Sequence, residues 1–430
     1  MKQYLLVVFV NSLISRDYDM LKEFENFNYI ISKGSVVRKV KNQYPNFKNP
    51  VNTTILTGEF PEKHGIYFNN YNVKVRKYRH KEYEDIQSPN ILDLFKSEGN
   101  NVSLISWPNM GYSNFKYNFS DINNSVNIKD LFRGIVKGSS FYMLKNIFKY
   151  SSVLRVGIQP DSDNFSSILA MEILESKKSN VIFMNLDHLD YVRQRYGMNC
   201  EKNSLDALRN IDRKLGDLLV WCDNKNILNN LTISLVSGGG PCECKYIINI
   251  NYIFLKNGLI SVNKRGRINN YIAYAHCEGG SAFIYLKQPN NINDYGKVKV
   301  FLDDIMKKYS NYIKAVYEVS EYERFDLDEF SFRIQGNIFC IFSEELNKSE
   351  FIDDMTQSLY ISDRINKSFY GYSNDYENSQ GIFINHGYRI KKGVELNECS
   401  LVDIAPTIAS FMKLDFRSSG RIIKDILEEH

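Results

Sequence analysis

The chain has 430 residues, 43% of them hydrophobic, with 54 Lys+Arg against 50 Asp+Glu and a formal net charge of +4. That balance argues against a strongly basic surface for nucleic acid or anionic lipid, and the apolar fraction excludes a disordered chain. Seven cysteines (Cys200, Cys222, Cys242, Cys244, Cys277, Cys340 and Cys399) with no C-x-x-C pair point to reduced thiols in a cytoplasmic protein, not a disulfide scaffold.

In chain order, the apolar run Leu5 to Val10 is the first predicted strand. It is too short for a signal peptide, and the acidic segment Arg16 to Glu25 follows it directly. Pro50 fits the first turn of a helix, which sets Lys48 and Asn49 beside free backbone N–H groups, a ready place for a phosphate or carboxylate. The basic cluster Lys74 to Lys81, flanked by Glu82, Glu84 and Asp85, reads as a solvated loop. Ser88-Pro89 supplies a cap and first-turn proline for a helix through Phe95 that Gly99 closes. Strands are predicted at Val102 to Ser106, Val181 to Leu186 and Thr232 to Val236. Before the last of these, Leu205, Leu208, Ile211, Leu215 and Leu218 share a helix face, with Asp206, Arg209, Asp212 and Arg213 outward and Ser204 as the cap.

This alternation predicts an α/β protein with a central, mostly parallel sheet flanked by helices. From Cys242 to Gln380 the connections lengthen, with a short strand at Ile313 to Val319 and an amphipathic segment at Val300 to Tyr309. The expected organisation is a core of residues 1–241 and 381–430 carrying an inserted α+β subdomain, 242–380. No stretch approaches the roughly 18–20 apolar residues of a spanning helix.

The string Tyr44 to Ile66 carries more, because Thr57-Gly58, Pro61 and His64-Gly65-Ile66 stand in one motif. It resembles the signature of the alkaline phosphatase superfamily, in its type I phosphodiesterase/nucleotide pyrophosphatase branch. Further landmarks follow in order: Asn90-Ile91-Leu92, Ser106-Trp107-Pro108, Asp190 to Gly197, Asn251 to Leu259, Gly279 to Ala282, His386-Gly387-Tyr388 and Asp403 to Thr407. The resemblance implies the alkaline-phosphatase-like fold for nearly the whole chain. It also implies a two-metal site, usually zinc, with a threonine nucleophile between the ions.

The ligands that this resemblance implies are poorly kept. The first aspartate is Asn11, the nucleophile position falls on Lys48, and the paired Asp-His aligns with Gly238 and Gly239. In the other metal site Asp190 remains, the histidine is Gln194, and the last histidine is His386. Asp190 and His386 alone would under-coordinate zinc, so no cofactor is expected unless the site is retained in some other form. Cys242 and Cys244 could replace lost ligands but read as buried apolar residues, Asp187-His188 offers a shifted register, and His64 reads as a structural hydrogen-bonding residue.

The sequence therefore predicts a pocket of Asn11, Lys48, Asn49, Asp190, Gln194 and His386 that binds an anionic, phosphate- or carboxylate-bearing small molecule without metal-dependent hydrolysis. Its function would be that of a pseudoenzyme, possessing a ligand or a protein partner but binding neither nucleic acid nor membrane. A repurposed metal-independent enzyme would instead use Lys48 as clamp or nucleophile, with Asp190 and His386 for acid–base chemistry. An active metal-dependent phosphodiesterase, with Thr53 or Thr54 as nucleophile, is the remaining alternative.

Overall fold

The computed structural model describes residues 2–69, 71–72, 77–78, 82–119, 140–150, 158–176, 178–318, 330–346, 356–358 and 366–428. Of the basic cluster Lys74 to Lys81, only Lys77 and Tyr78 fall within them, and Val319 lies outside.

Eight strands make the central sheet: β1 Tyr4–Val10, β2 Gly34–Lys41, β3 Val102–Ile105, β4 Tyr117–Phe119, β5 Val181–Leu186, β6 Leu231–Val236, β7 Gly381–Gly387 and β8 Val394–Ser400. Their spatial order is β8-β2-β7-β6-β1-β5-β3-β4. Only β7 runs antiparallel to its neighbours β2 and β6. Every residue of β1, β5 and β6 is buried, which is why these strands read as unbroken apolar runs instead of alternating ones.

The pleat divides β1 between two cores. Leu6, Val8 and Val10 pack with helices α1 (Glu25–Ser32), α4 (Asp161–Glu175) and α6 (Glu201–Asn224). Leu5, Val7 and Phe9 face α2 (Lys48–Thr57), α3 (Ile91–Ser97) and α7 (Ile404–Phe411) on the other side. A short helix, α5 (His188–Tyr196), follows β5.

Three expectations about helices are corrected. Helix α3 is capped by Asn90, whose side chain accepts from Leu92 and Asp93 N–H, so Ser88-Pro89 lies just outside it. Helix α6 starts at Glu201, and Ser204 is buried inside it. Asp212 turns inward, accepting from Phe27 N–H at 2.7 Å and from the Asn26 side chain (Nδ2) at 2.9 Å, and so satisfies one of the free backbone donors at the start of α1.

The described strands between Cys242 and Phe369 pair with one another and not with the central sheet. Cys242–Asn249 joins Phe339–Ser343, Thr356–Ser358 and Ser368–Phe369. Ala273–Glu278, Ser281–Leu286, Phe332–Gly336 and Ile313–Glu318 form a second, antiparallel sheet against the helix Ile292–Lys308. An aromatic seam of Phe47, Tyr67 and Phe68 against Phe283, Tyr285 and Phe330 joins this segment to the core. No helix among the described residues is long and apolar enough to cross a membrane.

Candidate functional site

Parallel strands deliver side chains to one edge of a sheet, and the loops after β1, β5 and β6 all open there. Asn11 follows β1, Asp187 follows β5, and Ser237-Gly238-Gly239 follows β6. Helix α2 starts beside them with Lys48, and Pro50 sits in its first turn as expected.

Lys48 Nζ lies 2.7 Å from Asp187 Oδ1, in an ion pair whose side chains are 17% and 10% exposed. Asn11 Nδ2 also donates to Asp187 Oδ1, and Asn185 Nδ2 donates to Oδ2 at 2.9 Å. Both oxygens of Asp187 are thus engaged. Asp163 accepts from the N–H groups of Asp187 and His188, and burial beside the Asp187 charge raises its carboxyl to about 6.

Asp190 forms the neighbouring cluster. Its Oδ1 accepts from Ser12 Oγ at 2.6 Å and from Tyr370 Oη at 2.5 Å, and its Oδ2 accepts from Gln194 Nε2 at 2.8 Å. Gln194 is one helical turn beyond Asp190 on α5, a spacing that stacks the two side chains. Burial raises the Asp190 carboxyl, opposed by the charge of Lys48.

Asn11 and Lys48 therefore gather on Asp187 and Gln194 on Asp190, with Lys48 near enough for its charge to act on Asp190. Asn49 stands at the start of α2, but its N–H and side-chain amide are taken by Asn69 Oδ1 (2.9 Å) and Asn69 O (2.5 Å). His386 does not join the site. Because β7 is antiparallel to β6, His386 pairs with Ile233, level with Leu6 and five residues below Asn11, about 17 Å along the strand. There its Nδ1 lies 3.2 Å from Lys33 O and its ring packs on Tyr29.

The side chain that reaches Asp190 from the late part of the chain is Tyr370. Like His386, it is followed by Gly-Tyr, so that repeated pair was the available sequence signal. Ser12, at φ 65° and fully buried, is the second residue missed. Its polar Oγ is aimed inward by the left-handed turn that ends β1.

Gly238 and Gly239 leave no room for ligands. A Cβ on Gly238 would meet Val51 Cγ1 at 2.2 Å, and one on Gly239 (φ +94°) would meet Ser379 O at 2.3 Å. Cys242 is buried, and burial pushes its thiol up to about 12. His64 is structural as expected: Ile66 N–H donates to its Nδ1, Nε2 lies 3.0 Å from Thr54 Oγ1, and burial lowers it to about 3. Among the described residues, no three His, Cys, Asp or Glu side chains converge to hold a metal ion. Two dications do not fit the donor set present, since the Asp187 oxygens serve Lys48 and two amides and the Asp190 oxygens serve Ser12, Tyr370 and Gln194.

The family description "Type I phosphodiesterase / nucleotide pyrophosphatase" matches residues 5–389. The chain belongs to this family. Murine ectonucleotide pyrophosphatase/phosphodiesterase 5 superimposes with a TM-score of 0.66 at 18% identity, over 99% of this chain and 100% of that one. An inactive form of the murine protein in complex with AMP matches with the same values. The human counterpart gives 0.68 at 17% identity, again over 99% and 100%. These likenesses show the fold, an alkaline-phosphatase-like α/β core. No curated protein matches the sequence significantly.

Glu278 extends the site's network into the inserted segment, accepting from Asn69 Nδ2, which ties it to the start of α2. Burial raises its carboxyl from 4.5 to about 7. The folded state therefore binds this proton more tightly than the unfolded state does. Stability contributed here falls as pH rises from about 4.5 to about 7, and the deficit is constant above. Glu278→Gln, which keeps an acceptor for Asn69, is expected to be about 1–3 kcal/mol more stable than wild type at pH 8 and equal to it near pH 4. Urea unfolding at the two pH values checks this, and an unchanged difference between them contradicts it.

Proposed function

We propose that this chain is a non-hydrolytic member of the phosphodiesterase family, whose site binds an anionic, phosphate- or carboxylate-bearing small molecule in place of cleaving a phosphodiester. The observation that carries this reading is the Lys48–Asp187 ion pair at 2.7 Å. An ammonium cannot become the alkoxide nucleophile, and it repels a dication beside it. Asn11 and the closed space at Gly238 and Gly239 point the same way.

Lys48 at the first residue of α2 combines a side-chain charge with the positive end of a helix, the pairing that attracts phosphate. Asp187 competes for that charge, so anion binding requires the pair to loosen. All seven cysteines are free, which fits a reducing compartment such as the cytoplasm.

The test pairs elemental metal analysis of protein purified without chelator with hydrolysis of a chromogenic phosphodiester, with and without zinc. The expected result is no metal-dependent turnover. About two equivalents of zinc with chelator-sensitive turnover would overturn the reading. AMP titration followed by calorimetry tests the ligand class. Asp187→Asn, which removes the competing carboxylate charge beside Lys48, is expected to tighten AMP binding by roughly tenfold, and Lys48→Gln to abolish it. Absence of AMP or phosphate binding by both wild type and Asp187→Asn would remove the anion from the proposal.

A further inference from the structure

We infer that the Tyr370 hydroxyl takes the place of a metal ion at Asp190, so that this end of the site is closed by hydrogen bonds contributed by the inserted segment. The inference rests on the non-hydrolytic reading above and goes further, naming the group that replaces the cation and the substitutions that would restore it.

The geometry is that of a small coordination centre built from protons. Tyr370 Oη lies 2.5 Å from Asp190 Oδ1 and 2.8 Å from Ser12 Oγ, and Ser12 Oγ lies 2.6 Å from the same carboxylate oxygen. Gln194 Nε2 holds the other oxygen at 2.8 Å. The two distances around the Tyr370 oxygen exceed a zinc–oxygen bond of about 2.0–2.2 Å by less than about 1 Å. A phenol is longer than an imidazole by roughly one Zn–N bond, about 2 Å. A histidine at 370 would therefore bring its ring nitrogen about one bond length short of the point where the phenol oxygen now stands. Gln194, one turn after Asp190, holds the other oxygen of the same carboxylate, so a histidine there would stand beside the same acidic group.

The backbone around Tyr370 fixes this arrangement. Gly371 and Tyr372 N–H both donate to Asn46 Oδ1, at 2.8 and 2.9 Å, and Gly280 N–H donates to Tyr370 O at 2.8 Å. Lys367 N–H donates to Gln194 O and Ser368 Oγ to Arg193 O, both at 2.7 Å, so the strand Ser368–Phe369 is tied to the helix that carries Asp190. In a metal-holding site an ion would link these two segments; here the phenol does so directly. A buried carboxylate needs either a cation or several donors, and Asp190 has the donors.

The experiment compares wild type, Asp190→Asn, Gln194→His/Tyr370→His, and that double variant with Asp190→Asn added. Zinc affinity is read by competition with a chromogenic chelator, and thermal unfolding is followed with zinc and with chelator. Wild type is expected to bind no zinc at Asp190 and to melt at the same temperature in both. The double variant is expected to take up about one equivalent, with affinity at least on the order of a hundredfold above wild type, and to melt higher with zinc. Adding Asp190→Asn should remove both effects. A folded double variant that binds zinc no better than wild type would overturn the inference while leaving the non-hydrolytic reading intact. One equivalent of zinc on wild type, lost with Asp190→Asn, would also overturn it. Two equivalents with chelator-sensitive hydrolysis would instead defeat the reading beneath it. Should the double variant not fold, Tyr370→Phe decides the matter: a melting temperature lowered by several degrees supports the phenol's role, and an unchanged one refutes it.

Discussion

Arg193→Met is expected to destabilise the protein by about 3–5 kcal/mol, because it strands a buried carboxylate. Arg193 and Asp17 are 3% and 4% exposed in their side chains. The guanidinium forks onto both Asp17 oxygens at 2.7 Å and also donates to Ser12 O. Asp17 further accepts from Ile14 N–H at 2.9 Å, so one ion pair fixes the whole turn after β1. Losing it costs more than a surface pair would, since the desolvation of Asp17 is no longer offset. Arg193→Lys keeps the charge but loses the fork, and an intermediate loss is expected. Adding Asp17→Asn to Arg193→Met should recover part of the stability, because an uncharged amide tolerates burial better. Urea unfolding of the three variants checks the order, and a loss below about 1 kcal/mol for Arg193→Met would contradict the buried-charge argument. The turn also carries Ser12, so the Asp190 cluster should loosen together with stability.

How much of this was legible in the sequence depends on how local each determinant is. Strands β1, β5 and β6 read directly, because burial on both faces demands unbroken apolar runs. The start of α2 and the stacking of Gln194 on Asp190 were equally accessible, since both depend on neighbours within a turn. Asp212 was misread because periodicity sees only its own helix, whereas its partner is the start of α1, 185 residues away in the chain. His386 was misplaced for a related reason. The motif His-Gly-Tyr fixes a residue type, but the antiparallel direction of β7, which carries it to the far end of the sheet, is a property of the sheet's topology. Tyr370 is hard to read from the sequence because a phenol is not among the usual zinc ligands, and only the Gly-Tyr that follows it marks the position. Ser12 is legible only once the backbone is known, since its left-handed φ aims the hydroxyl.

Restoring the missing ligand pair is expected to damage the fold and not to create a metal site. At Gly239 the added Cβ would stand 2.3 Å from Ser379 O and 2.5 Å from Ser379 C, both backbone atoms, in a left-handed conformation that L side chains rarely adopt. Gly239→His is therefore expected to cost about 3–5 kcal/mol, combining strain with overpacking, and no trimming of side chains can relieve it. Gly238 differs, because its Cβ would meet the side chain of Val51, which is buried and stiff at χ1. Gly238→Ala should cost about 1–3 kcal/mol, and pairing it with Val51→Ala should recover some of that despite the small cavity left behind. A double-mutant cycle on Gly238 and Val51, set beside the same Val51 change in Gly239→Ala, separates the two cases. Strong coupling at 238 and none at 239 is the expected pattern. The reason lies in how the loop after β6 is held: Asn42 Nδ2 donates to Gly238 O, Asn46 Nδ2 to Gly240 O at 3.2 Å, and Gly240 N–H to Asn378 O at 2.7 Å. The backbone of 378–379 thus lies against this loop where ligand side chains would otherwise project. Recovering a metal ion on that side would require moving the chain itself, whereas at Asp190 two side-chain replacements are expected to suffice for binding one.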